Sequence, residues 1–168
     1  VSMSRDDLTP RAPRFDSPAQ EAYLRLWRVY DRLKLIEEEL FAAYDLSSQQ
    51  YNTLRLLRAA LPGSMGTLEL ASRLISRAPD ITRLVNKLEE RTWVERQRDD
   101  SDRRNIRIRL TPAGNSLLQQ LAGPLAAVHE RQLGHLPANE LNALIAALSA
   151  AGNPHEPDDS HWKPHHAD

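Results

Sequence analysis

The stretch PDITRLVNKLEERTWVERQRDDSDRRNIRIRLTPAG, residues 79–114, changes its apolar period partway along, and that change decides the fold. In PDITRLVNKLEE (79–90), Ile81, Leu84, Val85 and Leu88 fall at i, i+3, i+4 and i+7, which predicts a helix opened by Pro79 with one apolar face. Its other side carries Arg83, Asn86 and Glu90, flanked by Thr82 and Lys87, and is polar and mostly rich in donors. After Arg91 the period becomes two: WVERQR (93–98) and NIRIRL (105–110) read as short strands, the second alternating Ile106, Ile108 and Leu110 with Arg107 and Arg109. The intervening DDSDRR (99–104) makes them a hairpin with a charged tip.

Working outward, Thr67 can cap a short helix, TLELASRLI (67–75), with Leu68, Ala71 and Leu74 or Ile75 inward. Upstream, Ser47 and Gln50 form a capping box for a helix that buries Tyr51, Leu54, Leu57 and Leu61 and is ended by Pro62 and Gly63. Ser17, Pro18 and Gln20 open a long helix to about Ala43, with Tyr23, Leu26, Tyr30, Leu33, Leu40 and Tyr44 at three- and four-residue steps. Downstream, Thr111 and Pro112 start a fifth helix through about Leu133, and Pro137 opens a sixth that Gly152 stops. Residues 1–15 are expected to be a mobile arm and residues 153–168 a disordered tail.

Two short helices followed at once by a basic hairpin describe a winged helix-turn-helix. A major groove about 12 Å wide admits one helix, so a DNA reader needs an apolar face to hold that helix and a polar face to meet base edges and phosphates. Residues 79–90 meet that requirement, and Arg103 and Arg104 at the hairpin tip can reach the backbone or an adjacent minor groove. Arg73 and Arg77 are candidate phosphate contacts, with ordinary solvation an equal alternative.

Composition narrows the remaining classes. The 168 residues carry 22 Lys plus Arg against 23 Asp plus Glu, are 40% hydrophobic and contain no Cys, which suits one domain and excludes disulfides, thiolate zinc sites and thiol-based sensing. Residues 64–114 hold 11 basic and 8 acidic side chains, whereas residues 115–168 hold 2 and 6, an asymmetry that a polyanion-binding module would produce. With no run of about 18 apolar residues and a polar start, VSMSRDDLTPRAPRFD, the expectation is a cytoplasmic protein with no membrane partner. Glu37, Glu38 and Glu39 point in different directions on a helix, and no nucleophile elbow, P-loop or dinucleotide fingerprint occurs, so neither catalysis nor a cofactor is expected. The tail histidines, His155, His161, His165 and His166, are read as part of a disordered segment rather than a metal site.

The runs LSSQQYNTLRLLR (46–58), TLELASRLI with PDITRLVNKLEER, and DDSDRRNIRIRLTPAG (99–114) together resemble the MarR family of multiple-antibiotic-resistance-type regulators, over roughly residues 20–150. The most specific part is Asp102, Arg104 and the pair Leu110-Thr111 followed by Gly114. The resemblance implies a mainly α fold with a small β-hairpin wing: a winged lobe at about 46–111 and dimerisation helices at about 17–45 and 112–151, within a domain of residues 16–152. It implies a homodimer in which residues 79–90 are the recognition helix, Arg104 reaches the minor groove and Asp102 orients the wing through an ion pair. Large exposed apolar patches are disfavoured in a monomer, which agrees with dimerisation.

The function expected is therefore a sequence-specific, dimeric regulator on a pseudo-palindromic operator in double-stranded DNA, acting as a repressor relieved by a small aromatic or lipophilic ligand. Its DNA contacts would be Pro79, Thr82, Arg83, Asn86, Lys87, Arg103 and Arg104. The alternative is a dimeric winged-helix scaffold that regulates a protein partner without specific DNA binding. One departure from the family pattern stands out: Arg91, Thr92 and Trp93 replace the usual Lys-Gly-Leu, so Thr92 is expected in a left-handed conformation that glycine takes more cheaply. Trp93 is expected to pack rather than to stack on a base.

Overall fold

The computed structural model describes residues 13–76, 80–98, 106–158 and 160–163. The chain divides into two compact units, residues 1–35 and 36–168. Helix α1, Pro18–Ala42, begins in the first and ends in the second.

In the first unit the start of α1 is capped as its sequence dictates. Ser17 Oγ accepts the backbone N–H of Gln20 at 3.1 Å, while the Gln20 amide reaches back to Asp16, accepting its N–H at 2.7 Å and donating to its carboxylate at 2.8 Å. Tyr23, Leu24, Leu26, Trp27, Val29 and Tyr30 are all exposed along this helix.

The second unit follows a helical order with a small sheet inserted. Helix α2, Ser48–Ala59, carries the expected capping box, with the Ser47 side chain on the Gln50 N–H and the Gln50 side chain on the Ser47 N–H. Strand β1, Met65–Gly66, precedes α3, Thr67–Arg73, and α4, Ile81–Glu90; then come β2, Val94–Arg98, β3, Ile106–Leu110, α5, Pro112–Leu133, and α6, Ala138–Gly152. The antiparallel sheet has the order β1-β3-β2, with Val94 opposite Leu110, Arg96 opposite Ile108 and Met65 opposite Ile108 on the other edge. β1 was not expected from the sequence, because two residues cannot show a two-residue period.

The core gathers Phe41, Leu54, Leu57, Leu70, Val85, Leu88, Val94, Ile108, Leu118 and Leu121. Phe41 and Tyr51 stack at 4.9 Å between ring centroids, so Tyr51 serves packing. Burial pushes the Tyr51 phenol above its ordinary pKa, with Arg55 and Arg58 opposing the shift. On α5, Gly114, Leu118, Leu121, Leu125 and Val128 form the buried stripe. Among the described residues α6 has none buried, although its sequence is apolar; Ile145 and Leu148 are exposed.

Four local expectations are corrected. Thr67 does not cap α3: Gly66 is the N-cap, with no side-chain bond, and Thr67 is already helical. α4 starts at Ile81 behind an Asp80 cap rather than at Pro79. Leu68 and Leu61 are exposed, not inward. Leu68 sits in the first turn of a helix that has only seven residues, and Leu61 lies beyond the end of α2, so neither shares the buried stripe of its helix. Apart from these, the described residues beyond α6 include a 3-10 turn, Asn153–His155, and further turns in which Ser160 donates to Glu156 at 2.6 Å and Lys163 to Asp158 at 2.8 Å.

Candidate nucleic-acid interface

The candidate surface is built on α4. Asp80 accepts the Arg83 N–H at 2.8 Å, satisfying a donor that the first turn leaves without a helical partner. Leu84, Val85 and Leu88 are buried, which turns Thr82, Arg83, Asn86 and Lys87 outward together. One face therefore anchors the helix while the other offers cationic and amide donors.

A residue that the sequence did not single out fastens this helix to the sheet. From β2, Arg96 sends one guanidinium nitrogen to the Glu89 carboxylate and the other to Asn86 Oδ1 at 2.5 Å, with a longer contact of 3.5 Å to the Thr82 carbonyl. Its own backbone N–H donates to Glu89 Oε1 at 3.2 Å. Thr82, Asn86 and Glu89 stand at i, i+4 and i+7, one stripe of α4 gripped along its length. The pairing register puts Arg96 on the same sheet face as Val94, Ile108 and Leu110, which explains how a charged side chain on a strand reaches under the helix. Arg98, two residues further toward the hairpin tip, is exposed.

The junction between α4 and the wing explains the pattern around Thr92 and Gly114. Thr92 has φ 59°, the left-handed conformation expected of it. The Thr92 N–H bonds the Glu89 carbonyl at 2.8 Å and the Trp93 N–H bonds the Leu88 carbonyl at 3.0 Å, the pair that defines a Schellman turn. Thr111 then closes the junction from the far side: its hydroxyl donates to the Thr92 carbonyl at 2.6 Å and accepts the Gly114 N–H at 3.1 Å. Gly114 lies so close that a Cβ there would sit 2.2 Å from the Trp93 carbonyl oxygen. Trp93 is half-buried with the Arg91 guanidinium 4.4 Å over its ring, and Arg91 also pairs with Asp45. It packs rather than facing outward as a stacking platform.

Of the other candidates, Arg73 lies at the end of α3 and pairs with Glu69 at 2.9 Å, one helical turn away. Pro79, Arg77, Asp102, Arg103 and Arg104 lie outside the described residues. The structure thus brings Thr82, Arg83, Asn86 and Lys87 onto one face and adds Arg96 behind them. The signal for Arg96 was a charged residue at an inward position of an alternating strand, visible only once the register is known.

A short HTH, a capped outward-facing helix and a three-stranded wing define a winged helix-turn-helix protein. Residues 46–106 match the MarR family model. A MarR transcription factor from Planctomyces limnophilus is 55% identical, the match covering 82% of this chain and 99% of that one with a TM-score of 0.64. The chain belongs to the MarR family. Sco3205 from Streptomyces coelicolor, a family member solved in complex with DNA, shares the fold at a TM-score of 0.76 with 18% identity, covering 91% of this chain and 98% of that one. The transcriptional repressor MprA of Escherichia coli (strain K12) is 30% identical over 65% of this chain, and the match spans 63% of MprA.

Proposed function

We propose that this chain is a homodimeric, sequence-specific regulator that lays α4 in the major groove of operator DNA, with Thr82, Arg83, Asn86 and Lys87 toward the bases and phosphates. The observation that carries the reading is the division of α4, with Leu84, Val85 and Leu88 buried and those four side chains exposed on the opposite side. Pro79 would belong to the same recognition-helix set, Arg103 and Arg104 on the wing, oriented by Asp102, would reach the backbone or the adjacent minor groove, and Arg73 and Arg77 would contact phosphates. The exposed apolar faces of α1 and α6 support a second copy as partner. Two-fold symmetry would then place the recognition helices about 34 Å apart, one turn of duplex.

Repression is the sign of regulation carried over from MprA, and a small aromatic or lipophilic ligand that favours another separation of the two lobes would relieve it. The experiment is to recover bound genomic fragments and measure their affinity at several salt concentrations. Log affinity is expected to fall linearly with log salt, and Arg83→Ala or Arg104→Ala is expected to cost about 1–3 kcal/mol on the preferred fragment. Weak, equal binding to every duplex, unmoved by either substitution, would instead mark a scaffold acting on a protein partner.

A further inference from the structure

We infer that Arg96 is a positioning residue that decides which base Asn86 can read, by confining it to base edges that accept hydrogen bonds, guanine above all. The inference rests on the DNA-binding reading of α4. A guanidinium has N–H donors only and no lone pair to offer, so the end of the Asn86 amide that lies 2.5 Å from Arg96 is its oxygen. The amide NH2 is thereby turned away from the sheet. A rotation of the amide by half a turn would set donor against donor, and Arg96 cannot retreat easily, because Glu89 holds its other nitrogen and the Thr82 carbonyl lies 3.5 Å from the nitrogen that bonds Asn86.

The consequence is a change in recognition chemistry. An unconstrained asparagine offers one acceptor and one donor, the pair that matches adenine N7 and N6. With its oxygen drawn to Arg96, Asn86 presents two N–H donors, which match the O6 and N7 acceptors of guanine. Adenine would have to share an oxygen already engaged by a cation, approaching the end of the amide that Arg96 covers. The neighbouring outward residues Arg83 and Lys87 are donors as well, so the part of α4 immediately around Asn86 favours acceptor-rich base edges.

The test is selection of bound duplexes from a random library with the full chain and three variants, Asn86→Ala, Arg96→Met and Asn86→Lys. The base pair whose preference disappears in Asn86→Ala is expected to present guanine to the natural protein. In Arg96→Met the amide is free to turn, and the guanine-to-adenine ratio at that pair is expected to fall roughly tenfold, a readout that a merely structural loss would not move. Should Arg96→Met fail to fold, Asn86→Lys keeps the question open to decision: a donor-only side chain is expected to retain guanine, and a switch to adenine overturns the inference. Adenine at the Asn86-dependent pair in the natural protein, an unchanged ratio in a folded Arg96→Met, or specific binding in which no pair depends on Asn86 would each overturn it while leaving specific DNA binding intact. Absence of any preferred duplex would overturn the DNA reading itself.

Discussion

At the scale of single residues, the wing junction is the tightest point of the fold, and two substitutions there are expected to act in opposite directions. Gly114→Ala places a methyl 2.2 Å from the Trp93 carbonyl oxygen, a backbone atom that cannot move aside without disturbing the Schellman turn. A loss of about 3 kcal/mol or more is expected, read as a lowered denaturation midpoint. Thr92→Gly relieves a β-branched residue held at φ 59° and should be neutral or stabilising by up to about 1 kcal/mol, after the extra chain entropy of glycine is set against the relief. A clear fall in melting temperature would show that the Thr92 side chain contributes more than its strain costs. Thr92 was legible because the family resemblance sets Arg91-Thr92-Trp93 against the usual Lys-Gly-Leu, which puts Thr92 where a helix commonly ends in a left-handed glycine. Arg96 was not legible, since nothing in RQR says which arginine lies inward until the strand is paired with its neighbour. The Asp80 cap was overlooked for a simpler reason: Pro79 also satisfies a helix start, and only the backbone conformation separates the two.

At the scale of elements, α2 is held to the last turn of α1 by the stack of Tyr51 on Phe41, and this contact carries a pH dependence. The folded state raises the Tyr51 pKa above the free value of 10.0 through burial, so both states hold the proton below that pH and the contact is fully present there. As pH rises beyond about 10 the unfolded chain ionises first. Stability is then expected to fall as the pH passes through the folded value. Tyr51→Phe should flatten that alkaline decline in denaturant titrations, and an unchanged slope would mean that another group causes it. The long helices and the hairpin could be read from period and caps because each has enough residues to display them. β1 could not, since its two residues pair with β3, which lies beyond α3, α4 and β2 in the chain.

At the scale of the whole molecule, α6 is the element whose sequence and surroundings disagree most. An apolar helix with no buried residue among those described would be disfavoured in water, and the second copy proposed above would resolve the conflict. Replacing Ile145 and Leu148 together by Asp is expected to give a monomer in analytical ultracentrifugation and to weaken operator binding at least 100-fold, because two linked half-sites become one. A dimer that survives the double substitution would place the interface elsewhere. If α6 does draw its shelter from another copy, the regulator obeys mass action: dilution loosens it and abundance firms it. Its grip on a promoter would then report how many molecules the cell holds, giving a scarce protein a threshold that no effector needs to set.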